Sequence, residues 1–149
     1  MDIEWRFKSF DDLSKSELHD IMVLRQEVFV VEQNCPYQDA DEKDVNAFHL
    51  SGYVEGKLAA YLRLVKAGVS YPEMSFGRIV TAKNFRGKGL GIALMQEGIS
   101  QSEKIFGTSL NRISAQSHLL PFYQKFGFES TGKDYLEDGI PHTEMLKQR

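Results

Sequence analysis

A single cysteine, Cys35, leaves this chain no partner for an internal disulfide, so the fold must hold by packing and suits a reducing cytoplasm. No apolar run approaches the roughly 18 residues that a membrane-spanning helix needs. The opening Met1-Asp2-Ile3-Glu4 brings early acids and no apolar core, unlike a secretory leader. Four scattered histidines and one cysteine make no zinc-ligand spacing, so no metal is expected. Positive charge is short as well. With 18 Lys and Arg against 21 Asp and Glu the net charge is -3, and no basic field recommends nucleic acid. Repeats, low-complexity tracts and linkers are absent. What remains is a cytoplasmic chain of one domain, 1–149, with neither a membrane nor a nucleic-acid partner. At 42% hydrophobic residues it can build a core unaided, burying about 70% of its unfolded surface.

Residues 3–10 alternate apolar and polar and predict a first strand. Ser14 and Glu17 form a capping box flanked by Leu13 and Leu18, which starts a helix. Leu18, Ile21, Met22, Arg25, Val28 and Phe29 then keep helical spacing to about Val31. Gln33 to Asp44 has no period and reads as a loop. Residues 46–54 and 58–66 read as a hairpin around Glu55-Gly56-Lys57, and Pro72 opens a strand running to about Ala82. A second helix follows a glycine-rich stretch, and 110–115 form a short strand. Pro121 opens a third helix that stops at Gly127, and two closing strands turn at Glu137-Asp138-Gly139. The order β-α-β-β-β-α-β-α-β-β describes an α/β fold with a mixed, mostly antiparallel sheet flanked by helices.

The stretch R-G-K-G-L-G, 86–91, joins a strand to a helix. A Walker A loop requires Gly five residues before Gly87 and Ser or Thr after Lys88, where Ala82 and Gly89 stand. A dinucleotide fingerprint requires a third glycine at Ile92, and no βαβ unit surrounds the stretch. The remaining pattern, Arg86-x-x-Gly89-x-Gly91, suits a pyrophosphate. Glycines admit an anion close to the backbone, and helix-start N–H groups point at it. Arg86 and Lys88 add charge. A plain strand-to-helix turn is the competing reading, as is another nucleotide-phosphate binder such as an ATP-using enzyme.

This loop, the strand before it and F-Y-Q-K-F-G-F at 122–128 resemble the GCN5-related N-acetyltransferase (GNAT) family. V-F-V-V-E-Q-N-C-P-Y-Q-D at 28–39 and E-D-G-I-P-H at 137–142 resemble its ElaA-like branch. The resemblance implies the acyl-CoA N-acyltransferase fold and acetyl-CoA as cosubstrate. It implies a pyrophosphate held by Arg86, Gly87, Lys88, Gly89, Leu90 and Gly91. It places the pantetheine arm along Ile79, Val80 and Thr81, with the Thr81 N–H steadying the oxyanion. Tyr123 matches the tyrosine that protonates the departing thiolate, a transfer between groups of pKa ~10 and ~8.5. Gln116 stands where the family often has Asn, and Leu119 where it often has Ala. Homodimers are common in the family.

An amine acceptor must lose a proton before it attacks. Glu73 shares a strand face with Thr81 by period two and is a candidate base, beside an ordinary solvated glutamate as the bland reading. Glu32 and His118 are rivals, and His49 reads equally as a structural histidine. The acids Asp39, Asp41, Glu42 and Asp44 fail the EF-hand pattern, since Asp44 and Leu50 occupy its Gly and Glu places. They read as a solvated loop, or as a rim attracting a polyamine or basic peptide. The expected activity is transfer of the acetyl group of acetyl-CoA to a primary amine of a small molecule or peptide by direct attack. A non-catalytic acyl-CoA-binding module is the alternative.

Overall fold

A computed structural model describes residues 1–149, and its strands and helices follow the predicted order. β1 (Glu4–Ser9) leads to α1 (Lys15–Arg25). The helix starts where the capping box requires. The Ser14 Oγ accepts the Glu17 N–H at 3.0 Å, and the Ser14 N–H donates to Glu17 Oε1 at 2.8 Å. Such a cap contributes about 1 kcal/mol. The expected continuation to Val31 is helical but not α-helical: Gln26–Glu32 widens into a π-helix, with Gln33 N–H donating to Val28 O and Cys35 N–H to Val30 O. The buried face of the helix, Ile21, Leu24 and Val28, packs on Tyr61 and Val80 of the sheet.

β2 (Phe48–Val54) and β3 (Lys57–Val65) form the expected hairpin. Its turn residues Glu55 and Gly56 have φ of 51° and 78°, the double left-handed geometry that matches strand twist. β4 (Ser75–Thr81) completes an antiparallel sheet of order β1-β2-β3-β4. α2 (Leu90–Phe106) crosses its face, and Gly98 sets how closely. A Cβ there would stand 3.1 Å from Leu62 and 3.2 Å from Phe76, so the helix would have to lift.

β5 (Asn111–Gln116), α3 (Leu120–Gln124), β6 (Phe128–Glu137) and β7 (Ile140–Lys147) follow, and the second sheet has the order β5-β7-β6. Both sheets are antiparallel throughout. The mixed character expected of a single sheet reduces to one isolated parallel bridge, between Met74 just before β4 and Asn111 at the start of β5. Side chains close what the backbone leaves open. Leu62, Phe76, Leu94, Met95, Ile113, Phe128 and Met145 form one core across both sheets and α2. Each such side chain contributes about 1.5–3 kcal/mol by its burial. The two sheets are therefore fixed to each other while β4 and β5 diverge beyond their single bridge.

Candidate functional site

The divergence has a local cause. Arg78 has φ of 51°, a left-handed angle that a side chain adopts only at a cost of about 1–3 kcal/mol. It is a bulge: Tyr61 pairs with Val80 and Arg63 with Gly77, so one residue of β3 faces two of β4. After the bulge, Ala82 N–H donates to Ala59 O at 2.8 Å. Ladder alternation then turns the N–H groups of Thr81 and Ile79 away from β3, toward the gap beside β5, and that of Val80 toward β3. The bulge also breaks the two-residue period linking Glu73 to Thr81, so their expected common face does not exist.

The glycine stretch meets the end of β4. Gly87 and Gly89 have φ of 79° and 78° with open space around them, an arrangement that other residues adopt only under strain. Gly89 caps α2 without any side chain, and the N–H groups of Gly87 through Ile92 donate to no protein acceptor. Leu90 itself is buried against Val54 and Ala59 and anchors the loop by packing. A methyl on Gly91 would approach the Phe122 ring at 3.5 Å. Lys88 is exposed over Phe85. The Arg86 guanidinium donates to Glu32 through Nη1 at 2.6 Å and Nη2 at 2.7 Å, and through Nε to Thr81 O at 3.3 Å. Loop, strand end and π-helix end are thus tied at one residue.

Where β4 and β5 part, a cleft of about 310 Å³ opens between Ile79 and Tyr123, with Gln116, Leu119 and His142 along its β5 side. Tyr123 is 6% exposed, and burial alone pushes its phenol up to about 12. It therefore stays protonated at neutral pH. Its hydroxyl makes no hydrogen bond within the protein, and the side chain lines the cleft. Gln116 reaches Gln33 Oε1 at 3.5 Å, a long contact that leaves its amide largely available. His142 pairs with Gln116 across the strands. Its Nδ1 lies 2.8 Å from Ile140 O, which requires the proton on Nδ1 and leaves Nε2 as the basic nitrogen, 3.5 Å from Glu137 Oε2.

Glu73 lies before the first residue of β4, outside the cleft. Both its oxygens accept from Arg112, at 2.8 and 3.0 Å, and that bond holds the carboxyl below its ordinary range. A carboxylate so occupied is a poor base, and Glu73 does not fit the role expected of it. Glu32 is likewise held low by its hydrogen bond from Arg86. His118 is exposed outside the cleft. His49 is fully buried between the Tyr61 hydroxyl at 2.6 Å and Asp44 O at 2.9 Å, a satisfied structural histidine.

The acidic loop is solvated only in part: Glu42 is exposed and Asp41 half-buried, but the other two acids turn inward. Asp39 and Asp44 are each 4% exposed. Arg25, fully buried, bonds Asp39 through Nε at 2.7 Å and Asp44 through Nη1 at 2.7 Å. Arg63 Nη1 reaches Asp44 at 2.9 Å and Asp41 at 2.7 Å, and Arg78 Nε reaches Asp39 at 2.8 Å. These pairs bind the loop to α1, β3 and the bulge. Sequence reading missed Arg63, Arg78, Lys43 and His142 as lining residues. Only His142, inside the E-D-G-I-P-H string, carried a usable signal.

Comparisons with known proteins identify the family and the fold. The family description "Acetyltransferase (GNAT) domain" matches residues 11–149. A crystal structure of an acyl-CoA N-acyltransferase from Pseudomonas aeruginosa superposes with a TM-score of 0.93 at 38% identity, covering 98% of this chain and 99% of that one. The crystal structure of Escherichia coli ElaA gives 0.91 at 36% identity, covering 98% and 99%. A UPF0039 protein of Synechocystis is 43% identical over 98% of this chain and 96% of its own length.

Proposed function

Since the chain belongs to the GNAT acetyltransferase family and has the acyl-CoA N-acyltransferase fold, with ElaA proteins among its homologues, we propose that it transfers the acetyl group of acetyl-CoA to the primary amine of a small molecule. One observation carries this reading: a run of unbonded amides, Gly87 through Ile92, continues into the free edge of β4 and ends at a cleft closed by an unbonded tyrosine hydroxyl. The cosubstrate matches that sequence of features. Its pyrophosphate takes the loop amides with Arg86 and Lys88. Its pantetheine amides pair with the outward-facing backbone near Thr81, as an added strand would.

The oxyanion role expected of Thr81 moves to Ile79, because Ile79 lines the cleft with Tyr123 and Thr81 does not. The amine nitrogen attacks the thioester carbon, the new N–C bond forms and the C–S bond breaks. The Ile79 N–H steadies the oxyanion. His142 Nε2, directly or through water, takes the proton that the amine gives up, in the place first assigned to Glu73. Tyr123 donates to the leaving sulfur. A phenol near 12 is a weak acid for a thiolate of ordinary pKa ~8.5, but the dry site raises the thiol by the same desolvation and narrows the gap. The lone buried Cys35 suits the cytoplasm as the place of action.

Thiol release from acetyl-CoA by purified protein, read across amines, amino acids, polyamines and peptides, tests this reading. Acceptor-dependent release is expected. Tight acetyl-CoA binding with no release for any acceptor would instead establish a non-catalytic acyl-CoA-binding module.

A further inference from the structure

The cleft runs past the reacting end. Beyond Ile79 and Tyr123 it is lined by Lys43, Arg63 and Arg78, and Glu137 is the one carboxylate on its wall. Glu137 faces His142. The arginines are balanced from behind: Asp39, Asp41 and Asp44 pair with Arg25, Arg63 and Arg78 and do not line the cleft. Lys43 has no such balance. It comes from the same short acidic turn, yet its ammonium makes no ion pair or hydrogen bond within the protein.

Arg63 adds a second, independent feature. The residue is 4% exposed, and only its Nη1 is used, toward Asp41 and Asp44. Its Nε is buried without any acceptor. An unsatisfied donor of this kind costs about 1–3 kcal/mol, more when it is charged. The idle Nε–Nη2 edge is the fork that matches the two oxygens of a carboxylate. The acids behind Arg63 already neutralise the buried cation, so charge balance does not require its unbonded edge. The position is rigid as well, since three elements converge on the network.

We propose, resting on the acyl-transfer reading above, that the acceptor is an amine that also carries a carboxylate, and that Lys43 and the free edge of Arg63 dock this carboxylate. The amine then lies toward Ile79, Tyr123 and His142. At about 310 Å³ the cleft is at the small end of ligand pockets, roughly 300–1,000 Å³, which fits an amino acid or a compound of that size. A polyamine is disfavoured, because its second ammonium would meet Lys43. The balance of the reaction is unchanged: free amine and acetyl thioester give an amide and the coenzyme thiol.

The test uses matched acceptors with the intact protein: common L-amino acids, their primary amides and their decarboxylated amines. Thiol release gives kcat/KM, and melting temperature in the presence of coenzyme A gives binding without turnover. At least a tenfold preference for some free amino acid over its amide and its amine is expected. Lys43→Gln should raise KM for that amino acid about tenfold, collapse the preference and leave KM for acetyl-CoA unchanged, with Lys43→Arg restoring most of it. Amides or amines turned over as well as acids would overturn the proposal while leaving acyl transfer intact. Amino acids that raise the melting temperature through Lys43 without turnover would keep the docking site and sink the transfer reading. Neither turnover nor binding by any carboxylate-bearing amine would also overturn it.

Discussion

Tyr123 carries the sharpest single-residue expectation. Its hydroxyl is held in the cleft without a protein partner, and burial keeps it protonated far above neutral pH. Tyr123→Phe should leave coenzyme A affinity unchanged and lower kcat on the order of 10²-fold, read by thiol release. Unchanged turnover would remove the acid role. The pH profile follows from the same shift. The donating form of the phenol persists until pH approaches about 12, so Tyr123 sets no falling limb of kcat between pH 8 and 10. A limb near 9 that disappears in Tyr123→Phe would contradict this. Family resemblance singled out Tyr123, the loop residues and β4 in the sequence, and the structure gathers them around one cleft and one strand edge. The loss of Glu73 was not, because its pairing with Arg112 joins residues 39 positions apart.

Between elements, Arg86 is the meeting point of the glycine-rich loop, the end of β4 and the π-helix that carries Glu32. Glu32 occupies the guanidinium that an incoming pyrophosphate would use, and it presents negative charge to an anion. Glu32→Gln should therefore tighten coenzyme A several-fold in calorimetric titration. Weaker binding would mean that Glu32 positions Arg86 rather than competing for it. Arg86→Ala with Lys88→Ala should weaken coenzyme A and 3′,5′-ADP alike and flatten the salt dependence of both. Each helix and strand was readable because caps, glycine turns and periodicity are local signals. The π-helix and the Arg78 bulge were not. Both change backbone register by one residue without altering the apolar pattern around them, and Arg78 is an arginine where a left-handed angle would favour glycine. That unseen residue is what reversed the parity assigned to Glu73.

Across the whole molecule, the paired acids and arginines join the 39–44 loop to both the core and the cleft. Burial pushes the Asp44 carboxyl up, but the hydrogen bonds from Arg25, the charge of Arg25, the Asp41 N–H and Arg63 together bring it down to about 2. A carboxyl depressed on folding stabilises the protein fully above its unfolded value near 4. That contribution is lost as pH falls from about 4 through 2. Urea unfolding across that range should show the decline in the wild type and a shallower one in Asp44→Asn. At neutral pH that variant should lose about 1–3 kcal/mol, because two buried arginines each lose one of two carboxylate partners while Asp39 and Asp41 remain. The network was illegible in the sequence since Arg25, Arg63 and Arg78 come from three separate elements. The acids then looked like an ordinary solvated loop. On the proposed function the coenzyme lies on the glycine loop and along the free edge of β4. Amide-resolved NMR of isotope-labelled protein titrated with coenzyme A decides this. The largest shifts are expected at Gly87 through Ile92, Thr81 and Ile79, with ATP failing to reproduce those on β4. Shifts confined to another surface, with these amides unmoved at saturation, would contradict it.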